Sequence, residues 1–339
     1  MNRAKLVSFT AVGAQTAARA AALLSDFVCE RYARTVDPSL AGTELTRFAQ
    51  QAMVDCDLIV FVGAAGIAVR AVAPYLVGKA FDPAVIVMDE AGKFVIPILS
   101  GHLGGANALA QRLAAGLGAQ AVVTTATDGR GVFAVDTWAK ENGCAVLEPE
   151  QIKYISGALL RGETVGLRSA FPVEGRLPPH ISMDATAESG FCIGYDTAAQ
   201  PFAHTLHLVP RVVHLGVGCR HLVPPEKIEA AVQAVLQSAG IPLSAVCAVG
   251  TVDIKRDEPG LLAFCQKYGL PLHVFAAAEL AAAKGTFTAS DFVQRTVGVD
   301  NVCERAAVLS SDGGRLICRK TARDGVTAAL AEQSWRAVF

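Results

Sequence analysis

The sequence predicts an α/β protein in three parts. An N-terminal domain at 1–140 has a parallel or mixed sheet, a small variable middle segment occupies 141–210, and a separate α/β domain fills 211–339. Three observations predict this. Apolar runs of strand length alternate with helical stretches through the first and last thirds, the pattern of a doubly wound sheet. The chain has 339 residues and is 52% hydrophobic, enough for two or three domains. Between Gly143 and Pro210 the alternation breaks at Pro172, Gly175, Pro178-Pro179 and Pro201.

Residues 6–10 read as a strand and 16–32 as a helix with an alanine and leucine face. Residues 58–62 form an apolar run that stops at Gly63, and 67–75 a short helix closed near Pro74. Strands follow at 84–89 and 94–99, with Gly92 marking a turn between them. Residues 106–117 read as a helix stopped by Gly118, and 121–124 as a further strand. Pro97 implies that the strand into Ser100 is distorted or lies at an edge. In the middle, 165–167 and 191–193 suggest a small β-rich insert, with 201–210 as a linker or edge strand. The last third restarts with a strand at 212–217. Pro224-Pro225 then opens a helix, where missing N–H groups cost little. Ile228, Val232, Val235 and Leu236 share one face of it. A strand at 245–251, a helix at 261–268 ended by Gly269, a strand at 272–275 and a helix at 292–297 follow. Residues 315–319 and 326–330 read as closing strands.

The formal net charge is -1 and no basic stripe is present, so nucleic acid is not an expected partner. Nine cysteines lie singly in apolar stretches without a Cys-x-x-Cys pair, the usage of reduced core residues in a cytoplasmic protein. Gln15 and Arg19 interrupt the apolar N-terminus before it reads as a signal peptide. Residues 230–252 lack charge, but Gln233, Gln237, Ser238, Gly240 and Pro242 break them up, so no membrane span is expected.

Two strand-to-helix turns carry the chemistry: Gly63-Ala-Ala-Gly66 and Gly101-His-Leu-Gly-Gly-Ala-Asn107. Such turns aim free N–H groups and the positive end of a helix dipole at one spot. Two of them close in sequence suggest one pocket for a ligand with several negative groups, with Ser100 and Asn107 adding side-chain hydrogen bonds. Tight strand-to-helix packing explains the same glycines. The pattern is neither a Walker loop nor a complete Gly-x-Gly-x-x-Gly fingerprint. His102 lies inside the second turn, and histidine, with an ordinary pKa of about 6.5, suits a base. It equally fits a helix-start residue facing solvent. Asp89, Glu90 and Asp128 follow strand ends, the ligand side of open sheets, and Thr124 and Thr125 add hydroxyls. Capping is the other reading of these carboxylates. Arg70 and Lys79 suit substrate carboxylates, although Lys79 with Asp82 also makes a surface ion pair. The charged run Asp253-Ile-Lys-Arg-Asp-Glu258 follows another strand. Alternation places Asp253 and Lys255 on one face, unless the run is a solvated capping loop. His204, His207, His214 and His221 crowd one region without the spacing of a metal site.

Taken in order, 63–70, 82–90, 99–107 and 124–128 resemble the CbiG family of cobalamin biosynthesis, the cobalt-precorrin-5A hydrolases. The likeness continues through 216–220, 251–261 and 298–304, then Lys320 and Gly325-Val-Thr327. It covers most of the chain and is weakest in the middle. It implies a cobalt-bearing polycarboxylate macrocycle as substrate, whose δ-lactone is opened by water and whose two-carbon fragment leaves as acetaldehyde. Cobalt is carried by the substrate, so no cofactor or metal of the protein's own is expected. His102, Asp89 and Glu90, in that order, are the candidate bases. The expected substrate-binding residues are Gly63, Gly66, Arg70, Lys79, Ser100, Gly101, Gly104, Gly105, Asn107, Thr124, Thr125, Asp128, Gly218, Arg220, Asp253 and Lys255. A cytoplasmic homodimer with transient contacts to other corrin-pathway enzymes is expected. Two rival readings stand beside it: a non-catalytic carrier of corrin intermediates, and a nucleotide-sugar or dinucleotide enzyme on a similar sheet.

Overall fold

The structure is a computed structural model and describes residues 2–33, 45–78, 81–101, 104–124, 132–183 and 186–339. It divides into two compact units, Met1–Trp138 and Ala139–Phe339.

The first unit is built on β1 (Asn2–Ser8), β2 (Phe27–Ala33), β3 (Leu58–Val62), β4 (Ala84–Met88), β5 (Phe94–Leu99) and β6 (Gln120–Ala121), in the order β2-β1-β3-β4-β5-β6. The first four strands are parallel. β5 runs back along β4, with Met88 opposite Val95 and Val85 opposite Leu99, and β6 follows the direction of β5. Only residues 89–93 separate β4 from β5. A parallel crossover needs a dozen residues or more, so this connection must be a hairpin. Gly92 closes it in the left-handed region at φ 67°.

Alternation along the buried strands splits the core in two. Leu58, Val60 and Val62 join Ala84, Ile86 and Met88 on one face, under α1 (Ala11–Ala22) and α4 (Ala106–Leu117). Ile59, Phe61, Val85 and Val87 point to the other face, under α2 (Leu45–Asp55) and α3 (Ala65–Val72). The expected helix over 16–32 is corrected, because α1 stops at Ala22 and Phe27–Ala33 pairs with β1 along its whole length. The run Phe-Val-Cys-Glu-Arg-Tyr has strand composition, and Tyr32 meets Phe48 of α2 edge-on at 4.9 Å. The strand expected over 121–124 shrinks to Gln120–Ala121. Pro97 is tolerated because β6 reaches only Phe94 and Val95, and the register slips beside it.

After α5 (Val135–Glu141), the second unit opens with β7 (Cys144–Val146), α6 (Ile152–Leu160), β8 (Val165–Ser169), β9 (Val173–Glu174), β10 (Ile181–Ser182), β11 (Ser189–Ile193) and β12 (His204–Pro210). The sheet order is β10-β8-β11-β12-β7. Residues 201–210 are thus neither linker nor edge, since β12 lies between two strands and is buried from Thr205 onward.

A second sheet follows in the same unit. It uses β13 (Val213–Cys219), α7 (Pro225–Ala239), β14 (Val246–Val252), α8 (Pro259–Tyr268), β15 (Leu272–Phe275), α9 (Ala277–Ala282), α10 (Asp291–Val297), α11 (Cys303–Ser310), β16 (Arg315–Arg323) and β17 (Val326–Glu332). Its order is β15-β14-β13-β17-β16. α7 and α8 bury Ile228, Val232, Val235, Leu261 and Phe264 on one face. α11 lies so close to the other face that an added Cβ on Gly216 would sit 1.7 Å from the Cys303 carbonyl oxygen. Glu304 of α11 is fully buried. Its Oε1 accepts from Thr288 Oγ1 (2.8 Å) and the Lys320 N–H (2.7 Å), and its Oε2 from the Thr288 N–H (2.8 Å). One carboxylate therefore ties helix, loop and strand together.

Beyond β17 the chain leaves this sheet, and β18 (Ala337–Val338) pairs in parallel with β9. The Ala337 N–H donates to Pro172 O (2.8 Å), the Phe339 N–H to Glu174 O (3.0 Å), and Trp335 Nε1 to Asn142 O (3.1 Å). Among the described residues no helix is long and apolar enough to cross a membrane.

Candidate functional site

At the carboxyl ends of β1, β3 and β4 the structure gathers Thr10, Gly63, Gly66, Arg70, Asp89 and Glu90. The Gly63 N–H donates to Met88 O (2.7 Å), and Gly63 leaves room for the Phe9 ring, which a Cβ there would meet at 2.9 Å. α3 starts without a side-chain cap. Arg70 folds back to donate to Gly66 O (3.3 Å). Asp89 Oδ1 accepts from both the Lys93 and Phe94 N–H groups at 2.7 Å, the work of a turn cap. Glu90 accepts from Thr10 Oγ1 (2.8 Å), whose own oxygen caps α1.

The second glycine turn lies at the other end of the sheet. Because β5 is reversed, Ser100 and Gly101 sit beside the start of β4, where Ser100 Oγ donates to Asp82 O (2.8 Å). Ser100 is left-handed at φ 54°, and an added Cβ on Gly104 would lie 2.4 Å from its Cβ. Gly105 occupies the N-cap position of α4, Asn107 is buried beneath Gly101, and Thr124 lies three residues beyond β6, which pairs only with Phe94 and Val95. The single hollow expected from both bends is therefore not formed. β4 separates them, about 16 Å for five residues. His102, Lys79, Thr125 and Asp128 lie outside the described residues.

The carboxyl ends of β13 and β14 bring together Gly218, Arg220, Asp253 and Lys255. Thr327 Oγ1 donates to Gly218 O (3.2 Å), and the Arg220 N–H to Gly325 O (3.0 Å). The Arg220 stem lies along Gly325, where an added Cβ would be 3.0 Å from its Cδ. Asp253–Lys255 is a 3-10 turn and does not continue the strand, so alternation does not govern these side chains. The Asp253 carboxylate accepts from the Ile254 N–H (2.8 Å).

Lys255 donates instead to Glu258 Oε2 (2.8 Å), and His221 Nδ1 lies 3.3 Å from the same oxygen. The Glu258 side chain is 2% exposed, Lys255 13%, and His221 79%, so a buried carboxylate gathers an almost buried cation and an exposed imidazole. Burial pushes the Glu258 carboxyl up, but Lys255 and His221 outweigh it and hold it below the usual carboxylate range. The Leu222 N–H also faces this carboxylate, yet Oε1 has no partner within hydrogen-bond geometry. Burial pushes the neighbouring Cys219 thiol up, with Lys255 opposing. Glu258 and His221 were not among the expected site residues. The readable signal was Lys255-x-x-Glu258 placed just before the helix-opening Pro259.

The four histidines go to four different partners. His204 stacks on Tyr154 with centroids 3.7 Å apart, His207 Nδ1 meets Glu148 Oε1 (3.1 Å), and His221 meets Glu258. His214 is buried, with Nδ1 2.8 Å from Ser310 Oγ and Nε2 3.2 Å from Cys247 Sγ; His273 Nδ1 reaches the same serine at 2.9 Å. Among the described residues no three His, Cys, Asp or Glu side chains form a metal-holding group. Burial, aided by His273, depresses the His214 pKa, while a hydrogen bond with Gln333 works the other way. The native state therefore resists protonation more than the unfolded chain does. Stability is full above about pH 6.5 and falls below it by up to ~1.4 kcal/mol per pH unit until the native pKa is passed. Urea titrations at several pH values check this, because a His214→Gln variant is expected to lose that part of the acid sensitivity.

A cleft of about 580 Å³ lies at the other end of this sheet, walled by Phe171, Tyr195, Trp335, Arg315 and Glu332. Its polar groups satisfy one another: Tyr195 donates to Glu332 Oε1 (2.8 Å) and Arg315 to Glu332 Oε2 (3.0 Å).

Family models match the chain in three consecutive stretches. Cobalamin synthesis G N-terminal matches residues 47–128, the cobalamin biosynthesis central region 133–210, and Cobalamin synthesis G C-terminus 213–331. A cobalt-precorrin-5A hydrolase of Salmonella typhimurium is 36% identical over 302 residues, covering 83% of this chain and 84% of that protein. One from Priestia megaterium is 30% identical over 291 residues, covering 80% and 78%. A cobalamin biosynthesis protein G homolog from Sulfolobus solfataricus, of known structure, is 20% identical with a TM-score of 0.43, covering 97% of this chain and 96% of its own. With three family regions in succession and a relative this similar over most of both sequences, the chain belongs to the CbiG family of cobalamin biosynthesis proteins.

Proposed function

We propose that this chain is a cobalt-precorrin-5A hydrolase. Water opens the δ-lactone of the cobalt macrocycle, and the extruded two-carbon fragment leaves as acetaldehyde, giving cobalt-precorrin-5B. The observation that carries this is the 36% identity to a cobalt-precorrin-5A hydrolase across 83% of the chain. The chemistry suits the groups present. Lactone attack builds charge on an oxygen, which fixed N–H donors and cations stabilise. Carbon–carbon cleavage then places an electron pair on the conjugated ring, so the protein's task is to orient the substrate and manage protons. Cobalt enters and leaves with the substrate, in a reading that places the enzyme in the cytoplasm. Asp89 Oδ1 is held by two backbone N–H groups and Glu90 Oε2 by the Thr10 hydroxyl, so each keeps one carboxylate oxygen for a proton, and both stand with His102 as candidates for the base.

Anaerobic incubation of the purified protein with cobalt-precorrin-5A is the test. Acetaldehyde in stoichiometric yield with lactone opening is the expected outcome. Tight binding without turnover would establish the carrier in its place.

A further inference from the structure

Three segments of the second unit meet around Glu258, and each exposes a large apolar side chain. Leu222 follows β13 and is 66% exposed, Ile254 follows β14 and is 63% exposed, and Leu262 in the first turn of α8 is 42% exposed. Glu258 holds them in one place. Its carboxylate faces the Leu222 N–H, binds Lys255 next to Ile254, and its backbone carbonyl accepts from the Leu262 N–H (3.0 Å). Leu222 is also left-handed at φ 56°, a conformation that disfavours a branched residue. An exposed leucine in a strained turn is costly twice over without stabilising the fold in return. Beside it, the exposed Arg220 has only its backbone N–H engaged, and its guanidinium has no ion-pair partner among the described residues. Arg256 is exposed on the same turn, with Asp253 and Asp257 as the acidic neighbours.

We propose that Leu222, Ile254 and Leu262 form a seat for the apolar face of the cobalt macrocycle, with Arg220 taking one of its peripheral carboxylates and Glu258 acting as the positioning residue. This rests on the hydrolase reading for the identity of the ligand. A flat ring with apolar faces and a carboxylate edge matches an apolar shelf with a free guanidinium at its side, because a guanidinium takes a carboxylate through two parallel hydrogen bonds. The seat lies beyond the carboxyl ends of parallel strands, the side of an open α/β sheet where ligands bind.

The test is a binding titration of the full chain with cobyrinic acid, a stable cobalt corrin edged with carboxylates, and with its amidated counterpart cobinamide. Leu222→Gly relieves the left-handed strain, so any loss of binding in it is not misfolding. Combined with Ile254→Ser, it is expected to weaken cobyrinic acid about tenfold while the thermal midpoint holds. Arg220→Gln is expected to weaken cobyrinic acid about tenfold and leave cobinamide unchanged. Arg315→Ala, in the distant cleft, is expected to change neither. Unchanged affinity in the Leu222 and Arg220 variants, or no binding by the wild type, overturns the seat. Acetaldehyde release by the wild type is scored separately. Turnover with unaltered KM in the variants removes the seat and keeps the hydrolase, whereas weakened binding without any turnover keeps the seat and removes the hydrolase.

Discussion

Glu304→Ala is expected to cost roughly 3–5 kcal/mol of stability. The native carboxylate accepts three hydrogen bonds in a site closed to water, two of them from backbone N–H groups of Thr288 and Lys320. Truncation strands those donors, each worth about 1–3 kcal/mol when buried without a partner, and opens a small void beside α11. Glutamine is expected to rescue only part of the loss. Its amide oxygen replaces one acceptor, but its NH₂ then faces a donor where Oε1 or Oε2 had accepted. Aspartate is shorter and cannot keep all three contacts. Equilibrium unfolding in urea ranks the variants, and a Glu304→Ala protein within about 1 kcal/mol of the wild type would show that the loop at Thr288 is not held by this group.

Gly216→Ala is expected to destabilise by roughly 3 kcal/mol, by a different route. The new methyl would overlap the Cys303 carbonyl at 1.7 Å and crowd the Ala307 nitrogen at 2.8 Å. Both are backbone atoms of α11, so no rotamer change relieves the clash, and the helix must lift from β13. Lifting it also disturbs the three bonds of Glu304, which makes the two sites energetically coupled. A double-mutant cycle measures this directly, and the expected combined loss is smaller than the sum of the single losses. A thermal midpoint equal to that of the wild type would mean that α11 sits farther from the sheet.

Much of this architecture is readable from local pattern. The five-residue runs at 58–62 and 84–88 are apolar throughout because both faces of each strand are buried; the first has the length expected, and the second stops one residue before the expected 84–89, at the turn that Asp89 caps. The helices beginning at Pro225 and Pro259 are announced by their prolines and ended by Gly240 and Gly269, both left-handed. Direction was harder to read than element type. Residues 89–93 are too few for a crossover, and that count alone reverses β5, yet strand-helix alternation invites an all-parallel sheet. The whole picture of one pocket under two glycine turns depended on that direction. α11 was missed because Cys303–Ser310 has no clean polar face: it is buried on most sides and carries Glu304 inward. At the candidate site, Arg220 and Lys255 were legible as charges following strands. Glu258 was not, because a carboxylate before a helix reads as a solvated cap until its burial is known.

The pairing of β18 with β9 has a consequence for biosynthesis. Translation delivers Val173 and Glu174 long before Ala337 and Val338, so the nascent middle region carries a bare strand edge while the whole C-terminal sheet is still being made. Until Ala337 and Val338 are made and docked, that edge stays unpaired and open to chaperones that shield sticky polypeptides on the ribosome.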